Sequence, residues 1–234
     1  LARRLTNSGD AAYASLAAYA LGSMALPYAI LFISHEVAAA CAGGAFCAAV
    51  IVVRAQGRAR AALAAGALAG LAILVDYQSV FASAAVGGYL VWGAPERLKQ
   101  TAWALVGALP ALALLLVYHA CCFGSPFRTG YSFAVDTAHQ QGVLGVIGPN
   151  PQALWQATLD PANGLLPLMP WILLAVVGAF VALRDRETRR RVGPEVWVCV
   201  AVVGAYVLFV GSLVPEFGRA GWSVGPRYIG VAMP

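Results

Sequence analysis

The sequence predicts an all-α fold: a polytopic bundle of transmembrane helices with about seven membrane segments, forming a single domain over residues 1–234. Hydrophobic residues make up 61% of the 234 positions and charged residues only 11%, against roughly 25% charged in an ordinary soluble domain. Mean hydropathy is +0.75, more apolar side chain than one water-soluble core can bury. Charges cut the chain into seven apolar blocks, at 11–35, 37–53, 61–75, 77–95, 100–127, 161–183 and 196–215. Most approach the ~20 residues that cross about 30 Å of hydrocarbon. A soluble globule is excluded, and no block has the short core and cleavage site of a signal peptide.

In chain order, residues 11–34 are expected to form a helix interrupted near Pro27, because proline removes an intrahelical hydrogen bond and clashes with the preceding turn. A return helix is expected over about 35–53. Two short helices at about 59–75 and 78–94 form a hairpin that turns at Val75, Asp76, Tyr77 and Gln78. A helix over 101–120 then leads into the longest polar segment, 122–164. This is read as an outer loop of some forty residues, with LWQATL (154–159) as an interfacial helix. Loops this long usually carry function or short helices of their own. Two last helices are expected at about 165–183 and 195–214, joined by RDRETRRR (184–191) as a cytoplasmic loop. The chain begins with Leu1 and stops at Pro234 where another apolar stretch starts, and it reads as a fragment.

If successive segments alternate in direction and the N-terminus is cytoplasmic, 12 of the 15 Lys and Arg fall inside and only Arg128, Arg219 and Arg227 fall outside. The positive-inside rule selects that orientation. Trp92, Trp103 and Trp197 then lie near inner helix ends, and Trp155, Trp171 and Trp222 near the outer face. Headgroup level suits these amphipathic rings. The formal net charge of +5 restates this bias and is no sign of nucleic-acid binding, so nucleic acid is not an expected partner.

Ionisable groups at membrane depth cost several kcal/mol unless they serve a site, so their distribution is informative. His35, Glu36, Asp76, His119, Arg128, Asp136, His139, Asp160, Glu216, Arg219 and Arg227 all map to the outer face, including every histidine. His35 and Glu36 start one helix, Asp76 sits at the hairpin turn and His119 ends another, so three helix ends are expected to line one cavity. Three outer arginines point to an anionic ligand, since guanidinium binds phosphate bidentately. Arg227 is the leading candidate. In GWSVGPRY (221–228) it follows Gly225 and Pro226 just before a helix start, and a helix N-terminus adds affinity for phosphate. Arg128, in FGSPFRTGYS (123–132), is a comparable candidate.

Other patterns carry structure instead of chemistry. GWSVG matches the G-x-S-x-G nucleophile elbow but lacks its strand–turn–helix setting. Gly66 to Gly70 is a small-xxx-small pattern of the type that lets membrane helices approach. The five cysteines (41, 47, 121, 122, 199) show no zinc spacing. No metal or cofactor is expected.

The segments PYAILFISHEVAAA (27–40), LAGLAILVDYQSV (68–80), YHACCFGSPFRTGYS (118–132) and GWSVGPRY (221–228) together resemble bacterial members of the C-type glycosyltransferase superfamily (GT-C), related to protein O-mannosyltransferases and the lipid A aminoarabinose transferase. The resemblance implies a GT-C-like membrane fold that transfers a sugar from a polyprenyl-phosphate donor to an acceptor on the outer face, by inverting, metal-independent displacement. In such enzymes a carboxylate of the first outer loop is the general base, and basic residues stabilise the departing lipid phosphate.

Carried onto this chain, Glu36 matches the family's acidic residue at a helix start and Asp76 its polar hairpin-turn residue. Arg227 becomes a lipid-phosphate contact helped by Arg219, Arg128 and His119, while His35, Glu36 and Asp76 order the cavity or touch the sugar. Membrane lipid is the other expected partner. The family's first outer loop is expected upstream of Leu1, so no residue of this chain is assigned as the catalytic base. One rival reading is a secondary transporter of an anionic solute or lipid, which calls for midplane charges and inverted repeats. Ionisable groups gathered at one face favour the transferase. The second rival is a non-catalytic scaffold of the same fold, distinguished by whether an upstream loop carries Asp or Glu.

Overall fold

A computed structural model describes residues 2–6, 8–31, 33–55, 58–133, 141–142, 145–214, 229 and 232. Helices follow one another as α1 (Ala2–Thr6), α2 (Gly9–Gly22), α3 (Ala25–Ile30), α4 (Ser34–Arg54), α5 (Ala59–Val75), α6 (Val80–Gly93), α7 (Arg97–Phe123), α8 (Pro151–Thr158), α9 (Leu165–Leu168), α10 (Ile172–Arg184) and α11 (Arg186–Val210). Single 3₁₀ turns lie at Tyr77–Ser79 and Gly130–Phe133. Among the described residues there is no strand, only an isolated antiparallel bridge between Val146 and Leu213. The all-helical expectation holds.

By length and composition α4, α7 and α11 can cross a membrane. The other expected segments are shorter: 14 residues in α2 and α6, 17 in α5 and 13 in α10. At 1.5 Å per residue, α10 covers only about 20 Å. It exposes Leu173, Leu174, Val176, Val177, Phe180 and Val181, and α7 exposes Leu105, Val106, Leu109, Leu114 and Val117. Apolar faces of this extent are unusual on a monomer in water and suit hydrocarbon.

The central helix is α4. Its Ala38 and Ala42 enter a core with Tyr28, Ala72, Ala82, Met169, Tyr206 and Val210. Its Ala45, Phe46, Ala49 and Val52 enter a second core with Ala62, Ala65, Val86 and Leu90. Small residues set the helix spacing. A Cβ on Gly66 would collide with the Ala104 carbonyl, and one on Gly107 with the Leu63 carbonyl, so α5 and α7 touch backbone to backbone.

The hairpin of α5 and α6 has the expected bounds, while three other expectations are corrected. The first helical segment breaks at Ser23 and Met24, not at Pro27. Pro27 lies in the first turn of α3, where its missing N–H is no loss. The expected helix over 165–183 is interrupted at Met169 (φ −137°, ψ 66°), because the following Pro170 disfavours helical backbone before it. The expected loop 184–191 is helical from Arg186. Asp185 caps α11 by accepting from the Thr188 amide at 2.7 Å, and that bond holds its carboxyl below the usual carboxylate range.

The long segment after α7 is anchored to the end of α11. Ile147 N–H donates to the Ser212 carbonyl at 2.8 Å and Asn150 N–H to the Gly211 carbonyl at 2.8 Å. Asn150 then caps α8 through the Gln152 amide at 2.9 Å, which starts that helix at Pro151, three residues before the expected LWQATL.

The backbone contact between α5 and α7 predicts that Gly66→Ala lowers unfolding stability in detergent by about 1–3 kcal/mol, the range for overpacking. Gly87→Ala, with nothing within 4 Å of the added Cβ, is expected to be neutral or stabilising by up to about 1 kcal/mol. Equal thermal melts for the two variants would refute the close approach.

Candidate functional site

Where α5 ends at Val75, Asp76 leaves the helix in an extended conformation (φ −148°, ψ 115°). One carboxylate oxygen, Oδ1, accepts from the Gln78 amide at 3.2 Å and so caps the 3₁₀ turn at Tyr77–Ser79. The other, Oδ2, lies 2.6 Å from His35 Nδ1 at the start of α4. An ionised carboxylate only accepts, so His35 carries a proton on Nδ1, and the partner fixes the ring's orientation. Both side chains are nearly buried. From α11, the Tyr206 hydroxyl donates to the Gln78 carbonyl at 3.0 Å, which pins the turn from the opposite side.

The end of α7 supplies the second polar pair. Gly124, at φ +74°, ends the helix in the left-handed conformation that glycine adopts without strain. The chain doubles back so that the Pro126 carbonyl sits 3.1 Å from His119 Nδ1. A carbonyl can only accept, so Nδ1 carries the proton. In the neutral ring Nε2 then accepts from the Tyr77 hydroxyl, 2.8 Å away. Tyr77 packs edge-on against both His119 and Tyr131. Phe123 stacks on Phe133, and the Arg128 guanidinium lies 5.6 Å above the Phe133 ring, in the geometry of a cation–π contact.

Together these elements enclose a cavity of about 450 Å³. Ser34 and His35 of α4, Asp76, Tyr77 and Gln78 of the turn, and Leu115 and Tyr118 of α7 line it, with Tyr131 above. Among the described residues Gln78 Oε1 is buried without a hydrogen-bond partner. The volume lies within the roughly 300–1,000 Å³ of small-molecule sites, and tyrosines with a few converging polar groups are the usual lining of such sites.

Of the expected site residues, His35 and Asp76 meet directly in the cavity wall. His119 stands one ring behind, reaching the cavity through Tyr77. Glu36 is not in the lining and accepts from the Tyr19 hydroxyl of α2 at 3.1 Å. Arg128 is exposed on the aromatic ledge beside the cavity. Arg219 and Arg227 lie outside the described residues, as do Asp136, His139 and Glu216. Tyr77, Gln78, Tyr118 and Tyr131 were not singled out as site residues by sequence. Their signal is the recurrence of aromatic and amide side chains at the same helix ends as the histidines. Among the described residues no three His, Cys, Asp or Glu side chains gather as metal ligands. No protein-family model, curated protein or solved structure matches the chain.

Burial, with a smaller effect from Tyr118, raises the Tyr77 phenol above the ordinary tyrosine range. The folded chain therefore keeps this proton at pH values where the unfolded chain has lost it. The resulting stability is complete below the unfolded pKa of about 10 and is lost as pH rises through the higher folded value. Tyr77→Phe, which removes the bond to His119, is expected to cost about 1 kcal/mol at neutral pH. Its deficit against wild type should narrow as pH rises beyond about 10. Denaturant melts from neutral to alkaline pH check this, and a deficit that widens would contradict it.

Proposed function

We propose that this chain binds a polyprenyl-phosphate sugar and takes part in transferring that sugar to an acceptor at the outer face of a bacterial cytoplasmic membrane, as a GT-C-type glycosyltransferase. The observation that carries the reading is the cavity at the His35–Asp76 end of the bundle. It joins a histidine–carboxylate pair to three tyrosines at the end of apolar helices that the distribution of positive charge assigns to the outside. The motif resemblance adds the reaction class.

In this reading the sugar enters the cavity, with tyrosine rings against its C–H faces and Asp76, His35 and Gln78 toward its hydroxyls. The acceptor oxygen forms a bond to the anomeric carbon as the bond from that carbon to the phosphate oxygen breaks. The electron pair leaves with the lipid phosphate, and the acceptor's proton passes to a base. Arg227 and Arg219 are the proposed phosphate contacts, with Arg128 at the rim. Cationic donors aimed at the leaving phosphate act on charge that develops only in the transition state. Asp76 has both oxygens engaged by the protein and is assigned to positioning. The general base is assigned to no described residue.

The test is transfer of labelled sugar from a panel of polyprenyl-phosphate sugars by the protein in membranes. Wild type is expected to transfer from at least one donor. Asp76→Asn and His35→Ala should lower kcat/KM by about 100-fold, the scale of a misplaced substrate. Arg227→Ala should raise donor KM or abolish transfer, and Arg227→Lys should rescue it only in part, since lysine lacks the bidentate fork. Full activity in Arg227→Ala would remove the phosphate assignment. Uptake of an anionic solute into proteoliposomes without any transfer would replace this reading with a transporter.

A further inference from the structure

The opposite end of the bundle holds a second polar cluster that the proposed function does not use. Glu195, in the second half-turn after Val192 of α11, is 3% exposed. Its Oε1 accepts from Arg54 Nε at 2.8 Å and from the Tyr89 hydroxyl at 2.6 Å, which joins α4, α6 and α11. Arg54 also donates from Nη2 to the Arg191 carbonyl at 2.6 Å. The second carboxylate oxygen, Oε2, is buried and has no hydrogen-bond partner among the described residues. A buried carboxylate oxygen left without a donor is costly, so it marks a place where a donor is missing.

Beside Glu195 lies a pocket of about 400 Å³ between α10 and α11, closed by Leu5 and Thr6 of α1. Its walls are almost wholly apolar apart from Thr6, Thr188, Arg191 and Glu195. Arg191 is exposed and donates from Nη2 to the Leu5 carbonyl at 3.0 Å. The α10 wall is built from Ala175, Gly178, Ala179 and Ala182, and a Cβ on Gly178 would meet nothing within 4 Å. This trough runs along the helix that exposes Leu174, Val177 and Val181. Glu195, which carries the unsatisfied oxygen, and Arg191 thus line one pocket with an apolar trough.

We propose that this pocket holds a phospholipid with a primary ammonium headgroup. The ammonium donates to Glu195 Oε2, the phosphate lies against Arg191, and an acyl chain fills the trough beside Gly178. Arg186, Arg189, Arg190 and Arg191 precede Glu195 on α11, which sets this level where lipid phosphates meet basic side chains. The headgroup chemistry is selective. A quaternary ammonium has no N–H for Oε2. An anionic headgroup without an amine, even where its hydroxyls can donate, brings uncompensated negative charge toward a carboxylate. A water-soluble amine satisfies Glu195 but leaves the apolar trough unfilled.

The test uses the protein in nanodiscs of phosphatidylethanolamine, phosphatidylcholine and phosphatidylglycerol with identical acyl chains, followed by native mass spectrometry of the lipid retained after extraction. Wild type is expected to retain phosphatidylethanolamine about tenfold over phosphatidylcholine, a difference of about 1.4 kcal/mol. Glu195→Gln should erase that preference. Gly178→Leu should expel the lipid without lowering the melting temperature in lipid-free detergent, because an added Cβ there meets nothing within 4 Å among the described residues and leucine favours the helix over glycine. Equal retention of the two zwitterionic lipids by wild type would overturn the proposal. So would phosphatidylglycerol retained above phosphatidylethanolamine, or undiminished retention in Gly178→Leu. Should Glu195→Gln fail to fold, the headgroup ranking and Gly178→Leu still decide the matter.

Discussion

A helix bundle with an apolar exterior leaves its buried polar side chains no partner but the chain's own polar groups, because the surroundings offer none. The architecture follows from that constraint. Between the two ends α4 contributes Ala38, Ala42, Ala45, Ala49 and Val52 to the cores, and polar groups collect in two tiers. At one end His35 pairs with Asp76 and Tyr77 with His119. At the other, Arg54 and Tyr89 converge on Glu195. Each tier joins helices far apart in sequence, so the polar bonds also fix how α4, α6, α7 and α11 are staggered.

The depth of the candidate cavity is set by the register of α5 on α7. Gly66 faces Ala104 and Gly70 faces Ala108, so the two helices run in the same direction in close contact. Carried forward, that register brings Tyr77 level with Leu115, and both residues line the cavity. Because α5 stops at Val75 while α7 continues to Phe123, α7 rises past the turn and presents Tyr118 and His119 above it. A short helix against a long one makes the recess. Had α5 been two turns longer, the Asp76 turn would have met the end of α7 with no wall beside it.

Much of this was legible in the sequence. Charge-free blocks gave α4, the α5–α6 hairpin and α7 nearly to their ends, and the gathering of His35, Asp76 and His119 at helix ends anticipated that they share one region. Local chemistry explains the misses. Asp185 three residues before Thr188 is an N-cap signal that starts α11 within a run of arginines, where charge density alone reads as a loop. Pro27 and Pro170 acted through opposite rules, the first tolerated in a first turn and the second breaking the helix before it. Side-chain pairing was the least legible part. Nothing in the spacing says that Glu36 bonds to Tyr19 while its neighbour His35 turns to Asp76, since adjacent helical positions point about 100° apart and only the packed neighbours decide which finds a partner.

The two buried carboxylates differ in a way that bears on their roles. Both oxygens of Asp76 are used, one by the Gln78 amide and one by His35. Together these bonds hold the side chain in a single orientation. A carboxylate so engaged orients its neighbour, and it must break a protein bond before it takes a proton from a substrate. Glu195 has one oxygen doubly bonded and the other unpaired. Its Arg54 partner offsets the cost of burying the charge without satisfying the second oxygen. The first arrangement is complete without a ligand and organises a cavity beside it, whereas the second keeps an oxygen that no described residue satisfies. Positioning at one end and headgroup recognition at the other follow from that difference in hydrogen-bond accounting.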